Sequence, residues 1–320
     1  VEVGCGIAAI LYPVTNRCEF SETMAEFLTT REVAALLRVR ERKIYDLVAR
    51  DGIPFRRVTG KLLFDRSEIE VWTRSHGDGE AVASTEAPTV RPSLPAIITG
   101  GHDPLLEWTL RRSESGIAAF LDGAIDGLER ARAGLCIAAG LHIPDDDDGW
   151  NVSAVAEHFA EAPWVLVEFA RRRRGLLVGA DVAPLPRGLK ATRTLRFQGR
   201  QQKAGSQLVL ERLLAHEAMR LDEIAFVATP ERSETDLAEA IAGGRADVGL
   251  GIECCARRFG LRFVPLIEER FDLLVERRAW FEPPFQTFLD FCGTAAFRDR
   301  AAELGGYDVT GFGRVHFNGG

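Results

Sequence analysis

The stretch from Phe27 to Arg74, FLTTREVAALLRVRERKIYDLVARDGIPFRRVTGKLLFDRSEIEVWTR, constrains the chain more than any other. Thr29 or Thr30 can cap a helix, with Glu32 or Val33 in its first turn. Val33, Ala34, Leu36 and Leu37 give an apolar face at helical spacing, and Val39 follows in the turn. A second helix is predicted from about Glu41 to Ala49, with Ile44, Leu47 and Val48 inward. Its outer face carries Arg40, Arg42, Lys43, Tyr45 and Arg50. Two short helices about a tight turn form the helix-turn-helix pattern. Asp51-Gly52 and Pro54 end the second helix. Phe55–Val58 and Lys61–Phe64 alternate around Thr59-Gly60 and read as a hairpin. Asp65 and Ser67 can cap a last helix, Glu68–Arg74, that packs back through Ile69 and Trp72.

That order, with G-I-P-F-R-R-V in the hairpin and D-R-S-E-I-E-x-W at the closing helix, resembles the excisionase and MerR-like DNA-binding family. The resemblance implies a winged helix-turn-helix over residues 24–75 that binds double-stranded DNA. The second helix would enter the major groove with Arg40, Arg42, Lys43 and Tyr45. Arg56, Arg57 and Lys61 on the wing would face phosphates. Met24–Asp78 holds 11 Lys and Arg against 9 Asp and Glu, so placement rather than bulk charge carries this reading.

A length of 320 residues suggests two domains or so, and 46% hydrophobic content suffices for buried cores. A net charge of −7 excludes a general basic coat for nucleic acid. The six cysteines form no C-x-x-C pair and histidine is sparse, so no metal site is expected. Cys254-Cys255 reads as packing before it reads as a redox pair. No apolar run approaches the ~20 residues of a membrane span, and a reduced cytoplasmic setting is expected. Residues 1–23 read as a disordered preface, with translation starting at Met24. Residues 76–92, small, polar and Pro-containing, read as a linker.

Beyond the linker, strand and helix patterns alternate. Strands are expected at Leu94–Thr99, Leu135–Ile143, Trp164–Ala170, Gly175–Val178, Leu195–Phe197, Asp247–Gly251, Leu261–Leu266 and Arg270–Val275. A helix is expected from the Ser113–Gly116 turn to about Arg132, and Arg171–Arg174 is expected on a solvated face. Such alternation argues an α/β fold with mostly parallel sheets, whose sites lie at strand C-termini beside helix N-termini.

Four phrases go together here: R-Q-Q-K-A-G-S-Q at 200–207, A-G-G-R-A-D-V-G-L-G-I-E at 242–253, G-L-R-F-V-P-L-I-E-E-R-F-D-L-L-V at 260–275, and the run from Phe288 to Val315. Their order resembles the periplasmic-binding-protein-like domain related to molybdate and tungstate receptors. The resemblance implies a two-lobed type II periplasmic-binding-protein-like domain over 93–320, with lobe one at 93–180 plus 270–320 and lobe two at 181–269. Crossovers would fall near Gly179–Asp181 and Glu268–Arg270, and ligand would lie in the cleft between the lobes.

An oxyanion there wants N–H and O–H donors, and helix N-termini supply them. The candidate ligand-binding residues are His102, Asp103, Ser115, Gly116, Arg200, Gln201, Gly205, Ser206 and Thr235. Ser115 and Ser206 serve equally well as ordinary helix caps, Arg200 as a surface charge, and His142 as a structural residue at a strand end. The family's lobe-two turn usually reads R-Q-x-G-S-G-T-R; here Lys203-Ala204 and Gln207 depart from it. Asp103 and Asp236 would oppose a bare dianion unless neutralised.

The expected function is a ligand-responsive, dimeric DNA-binding transcriptional regulator of a small anion such as molybdate or tungstate, or of a related cofactor. No motif for catalysis is present and no cofactor is expected. A molybdenum-cofactor-metabolism protein and an excisionase-like architectural DNA-binding factor are the alternatives.

Overall fold

The computed structural model describes residues 27–37, 39–50, 52–58, 61–75, 93–146 and 149–320. The preface at 1–23, the Thr59-Gly60 turn and the linker at 76–92 lie outside the described residues. The chain divides into two compact units, Val1–Thr89 and Val90–Gly320.

The first unit runs β1 (Phe27–Thr29), α1 (Thr30–Leu36), α2 (Glu41–Ala49), β2 (Arg56–Val58), β3 (Lys61–Asp65) and α3 (Arg66–Ser75). Thr29 and Glu32 cap α1 reciprocally, satisfying N–H groups that have no intrahelical acceptor. Val33, Ala34, Ile44, Val48, Phe64 and Ile69 make its core. Leu36, expected on the apolar face, is 41% exposed, and Val39 in the turn is 40% exposed. The short helices leave room for only one buried stripe, and Val33 and Ala34 fill it. β1, which sequence reading missed, pairs antiparallel with β3 and completes a three-stranded sheet ordered β1-β3-β2.

The second unit opens with β4 (Ile97–Gly100), α4 (Pro104–Arg112), β5 (Ala118–Leu121), α5 (Ala124–Arg132), β6 (Ala138–Leu141) and α6 (Val152–Phe159). Then come β7 (Trp164–Val178), β8 (Phe197–Gln198), α7 (Gly205–His216), α8 (Glu234–Ala242), β9 (Val248–Ile252), α9 (Glu253–Arg258) and β10 (Arg262–Glu276). α10 (Arg277–Trp280), α11 (Pro283–Cys292), α12 (Ala295–Leu304), β11 (Tyr307–Asp308) and β12 (Val315–Asn318) close the chain.

The 15-residue strands β7 and β10 organise this unit. They pair antiparallel from Trp164↔Glu276 to Val178↔Arg262. At one end β6 joins β10 and β4-β5 extend the sheet; at the other β9 joins β7 and β8 follows. The two ends are the two lobes. Three pairings are parallel and the rest antiparallel, so the sheet is mixed rather than mostly parallel. The change of partners falls within β7, several residues before Gly179–Asp181 where a crossover was expected. The expected break at Arg171–Arg174 does not occur either. Charged residues continue a strand when alternate ones find buried partners, and here they do. The helix expected from Ser113 begins only at Ala124, because Ala118–Leu121 pairs with β4 as an edge strand.

Phe169, fully buried on β7, meets Phe271, Phe288, Phe297 and Phe312 within 5.7–6.4 Å of ring centroids. It ties α11 and α12 to the shared strands. We expect Phe169→Ala to cost about 3–5 kcal/mol, read as a lowered midpoint of urea denaturation.

Candidate functional site

The C-terminal end of β4 turns at Gly100-Gly101 and delivers Asp103 to the start of α4. A side chain at Gly100 would put a Cβ 2.3 Å from the Gly140 carbonyl, so this turn needs glycine. Asp103 is fully buried. One oxygen accepts from Leu106 N (2.7 Å) and caps the helix. The other accepts from Arg172 (2.8 Å) and from Tyr307 Oη (2.7 Å).

From Arg172 an ion-pair chain runs across both lobes. Glu269 on β10 meets Arg172 at 2.5 Å and Arg174 at 2.7 Å. Arg174 reaches Glu234, the first residue of α8, at 2.9 Å, and Glu234 holds Arg200 at 3.0 Å. His142 lies 3.3 Å from Glu269. Arg172 also sits over the Phe271 ring, 4.4 Å from its centroid. Burial opposes charge on Arg172 and Arg174, but the adjacent carboxylates more than restore it and raise both pKa values. Burial likewise pushes Glu234 up, yet Arg174 and Arg200 overcome it and bring the carboxyl down to about 2. His142 is pushed down by burial, against the pull of Glu269.

The N-terminus of α7 faces His142. A Cβ on Gly205 would stand 2.7 Å from the His142 ring. The first N–H groups of α7 have no intrahelical acceptor, and the N-cap residue Ala204 offers no side-chain one. The Ser206 hydroxyl beside them is buried and has no partner. Around this point the lobes touch. Gln201 donates to Asp122 Oδ1 (2.9 Å), Arg232 donates to the same oxygen (2.9 Å), and Ile125 N donates to the Lys203 carbonyl (3.2 Å). Lys203 pairs with Glu129.

Of the residues expected in the cleft, Asp103, Arg200, Gln201, Gly205 and Ser206 converge here. His102 adjoins them but turns toward Glu107 (3.5 Å), leaving its Nδ1 buried without a partner. Thr235, half-buried, follows Glu234. Ser115 and Gly116 lie elsewhere. They precede β5, at the end of the sheet away from Gly100-Gly101, and Ser115 bonds locally to Ser113 and Ile117 N. The turn that does reach the cleft is Asp122-Gly123, which sequence reading missed. Arg172, Arg174, Glu234 and Glu269 were missed too. The signal was the strand alternation flanking Arg171–Arg174, which puts every second arginine on one face. Arg200, for which a surface charge was the alternative reading, is buried.

Beyond His142, Asn151 accepts from Ile143 N (2.6 Å) and donates to Asp272 (2.8 Å). Among the described residues no three His, Cys, Asp or Glu could hold a metal ion, and no helix is long and apolar enough to cross a membrane.

In the first unit α2 exposes Arg40, Arg42, Lys43 and Tyr45, with Tyr45 53% exposed. Arg57 on β2 is exposed. Arg56 is tied to Glu68 at 2.7 Å. The Lys61 side chain lies outside the described residues.

The two units thus define a class: a small helix-turn-helix head on a chain that also carries a two-lobed, solute-binding type of fold. The model of the helix-turn-helix domain matches residues 27–77, and that of the PBP superfamily domain matches residues 108–293. The chain belongs to the PBP superfamily. It is 22% identical to YvgK of Bacillus subtilis over 299 residues, covering 90% of this chain and 96% of that protein. It is 30% identical over 88 residues to a protein of Clostridium pasteurianum from the 5′ region of a 2Fe-2S ferredoxin gene, covering 26% and 74%. Solved structures of similar shape include a phosphate ABC transporter substrate-binding protein with bound phosphate from Clostridium perfringens (TM-score 0.49, 10% identity, 65% of this chain and 96% of that one). A tungstate ABC transporter structure from Geobacter sulfurreducens gives 0.46, 12%, 65% and 97%. An H2O2-bound OxyR of Corynebacterium glutamicum gives 0.47, 13%, 86% and 89%.

Removing one member of a buried charge pair strands the other, at about 3–5 kcal/mol. We expect that loss for Glu234→Gln at pH 7. The folded pKa of Glu234 lies below its usual value, so its contribution is present above about 4.5 and fades as pH falls toward 2. Unfolding free energies measured against pH for both proteins should therefore converge across that window.

Proposed function

We propose that this chain is a cytoplasmic, ligand-responsive transcriptional regulator. Its first unit binds DNA and its second senses a small oxyanion such as molybdate or tungstate. The observation that carries the ligand reading is the Ser206 hydroxyl, buried and unpartnered at the uncapped start of α7. A hydroxyl left so costs roughly 1–3 kcal/mol unless something accepts its proton, and the helix dipole favours an anion there. The buried arginines are already matched by Asp103, Glu269 and Glu234. The anion would therefore be held by neutral donors, not by a free cation. Binding acts as a switch through differential affinity for two lobe arrangements, and by linkage DNA must alter ligand affinity by the same factor. A homodimer is expected, because one short reading helix spans too few base pairs for tight specificity. We assign the protein no catalytic role, since both matched domains are of binding kinds.

In a thermal-shift series of molybdate, tungstate, sulfate and phosphate, a bound anion raises Tm by mass action. Ser206→Ala should abolish the shift. A shift that survives the substitution, or no shift with any of the four, overturns the anion reading.

On duplex DNA at low salt, the logarithm of affinity should fall linearly with that of salt. Arg42→Ala, Lys43→Ala and Arg57→Ala together should weaken binding by at least about tenfold and flatten the slope by roughly one per phosphate contact. Arg56→Ala alone should do less than Arg57→Ala, because Glu68 already engages Arg56. Failure of the intact chain to bind any duplex removes the regulator reading.

A further inference from the structure

A recess of about 720 Å3 lies between α4, α9 and α12, apart from the Ser206 cleft. Five arginines line it against two glutamates, in a chain whose net charge is −7. Three of the arginines are compensated. Arg111 pairs with Glu107, Arg300 with Glu303 (3.1 Å) and Arg257 with Glu253 (2.8 Å). Arg112 and Arg258 have no carboxylate partner among the described residues. Crowded guanidinium groups on concave walls repel one another and focus a positive potential into the hollow. Such a field is what a multiply charged anion neutralises, and the guanidinium fork suits phosphate oxygens.

Size narrows the class. A hollow this large fits a drug-sized ligand better than a single tetrahedral ion. One wall is flat: the Arg300 guanidinium lies 5.7 Å from the centroid of the Trp108 ring. The walls also belong to different lobes. α4 and α12 pack on the core that holds Phe169, while α9 packs on the core of Leu237 and Ile241. A ligand gripping both would bias their arrangement. The floor leads onward, for the Cys254 thiol donates to Tyr307 Oη (3.6 Å), and that hydroxyl donates to Asp103. Asp103 is the first link of the ion-pair chain to Arg172.

We propose that this recess is a second effector site, taking a small molecule with two or more phosphate groups and coupling its occupancy to the lobes. It stands independently of the Ser206 cleft.

The test is calorimetric titration of the full chain with inorganic tripolyphosphate, and separately with ATP, at low salt. One site per chain is expected. Arg112→Ala with Arg258→Ala should weaken it at least about tenfold while leaving Tm unchanged, since both side chains are exposed. Ser206→Ala should bind like the parent, which keeps this result separate from that of the oxyanion site. ATP binding more tightly than tripolyphosphate would assign the Trp108 wall to a ring; equal binding would assign the site to the phosphates, and both support it. The proposal falls if neither probe binds, or if the arginine pair can be removed without effect. It falls too if binding is instead lost in Arg42→Ala with Lys43→Ala, which would place the polyanion on the DNA-reading helix.

Discussion

The second unit depends on a chain of buried charge pairs: Asp103, Arg172, Glu269, Arg174, Glu234 and Arg200. Each guanidinium taken from water costs several kcal/mol, and only close, hydrogen-bonded carboxylates offset that. The geometry is therefore exacting. Glu269 serves Arg172 and Arg174 at once, and Glu234, at the start of a helix, shares Arg174 and adds Arg200. The partners come from five places in the sequence. The chain acts as a register pin, since sliding β7 against β10 by one residue would turn Arg172 and Arg174 outward and leave Glu269 unpaired.

Because β7 and β10 are shared by both lobes, this chain also sits where the lobes meet. Asp103 belongs to the first helix of lobe one and Glu234 to a helix of lobe two. Any motion of the lobes must stretch or exchange these pairs. His142 and the start of α7, with Ser206, lie beside this chain. The charges have a second consequence. With three carboxylates matched to three arginines, the pairs carry little net charge between them.

The head follows a different logic. Its core is a few aliphatic residues and Phe64. Stability in so small a unit leans on local devices such as the Thr29–Glu32 capping box and the Arg56–Glu68 pair. The second of these ties Arg56 of β2 to α3. On α2, Arg42, Lys43 and Tyr45 remain exposed.

The sequence by itself determined what is local. The periodicity of Val33, Ala34, Ile44 and Val48 and the breaks at Gly52 and Pro54 each act within a few residues, so α2 could be read directly. Ser206 and Gly205 were legible for the same reason, as a turn opening a helix. What only the tertiary structure decided is pairing at a distance. Arg171–Arg174 looks like a solvated run until Glu269, about a hundred positions later, neutralises two of its members from the neighbouring strand. Ser115 looks like Ser206 until the edge pairing of β5 carries it to the far end of the sheet. Burial of a charge depends on which strangers the fold brings within 3 Å, and no window along the chain contains them.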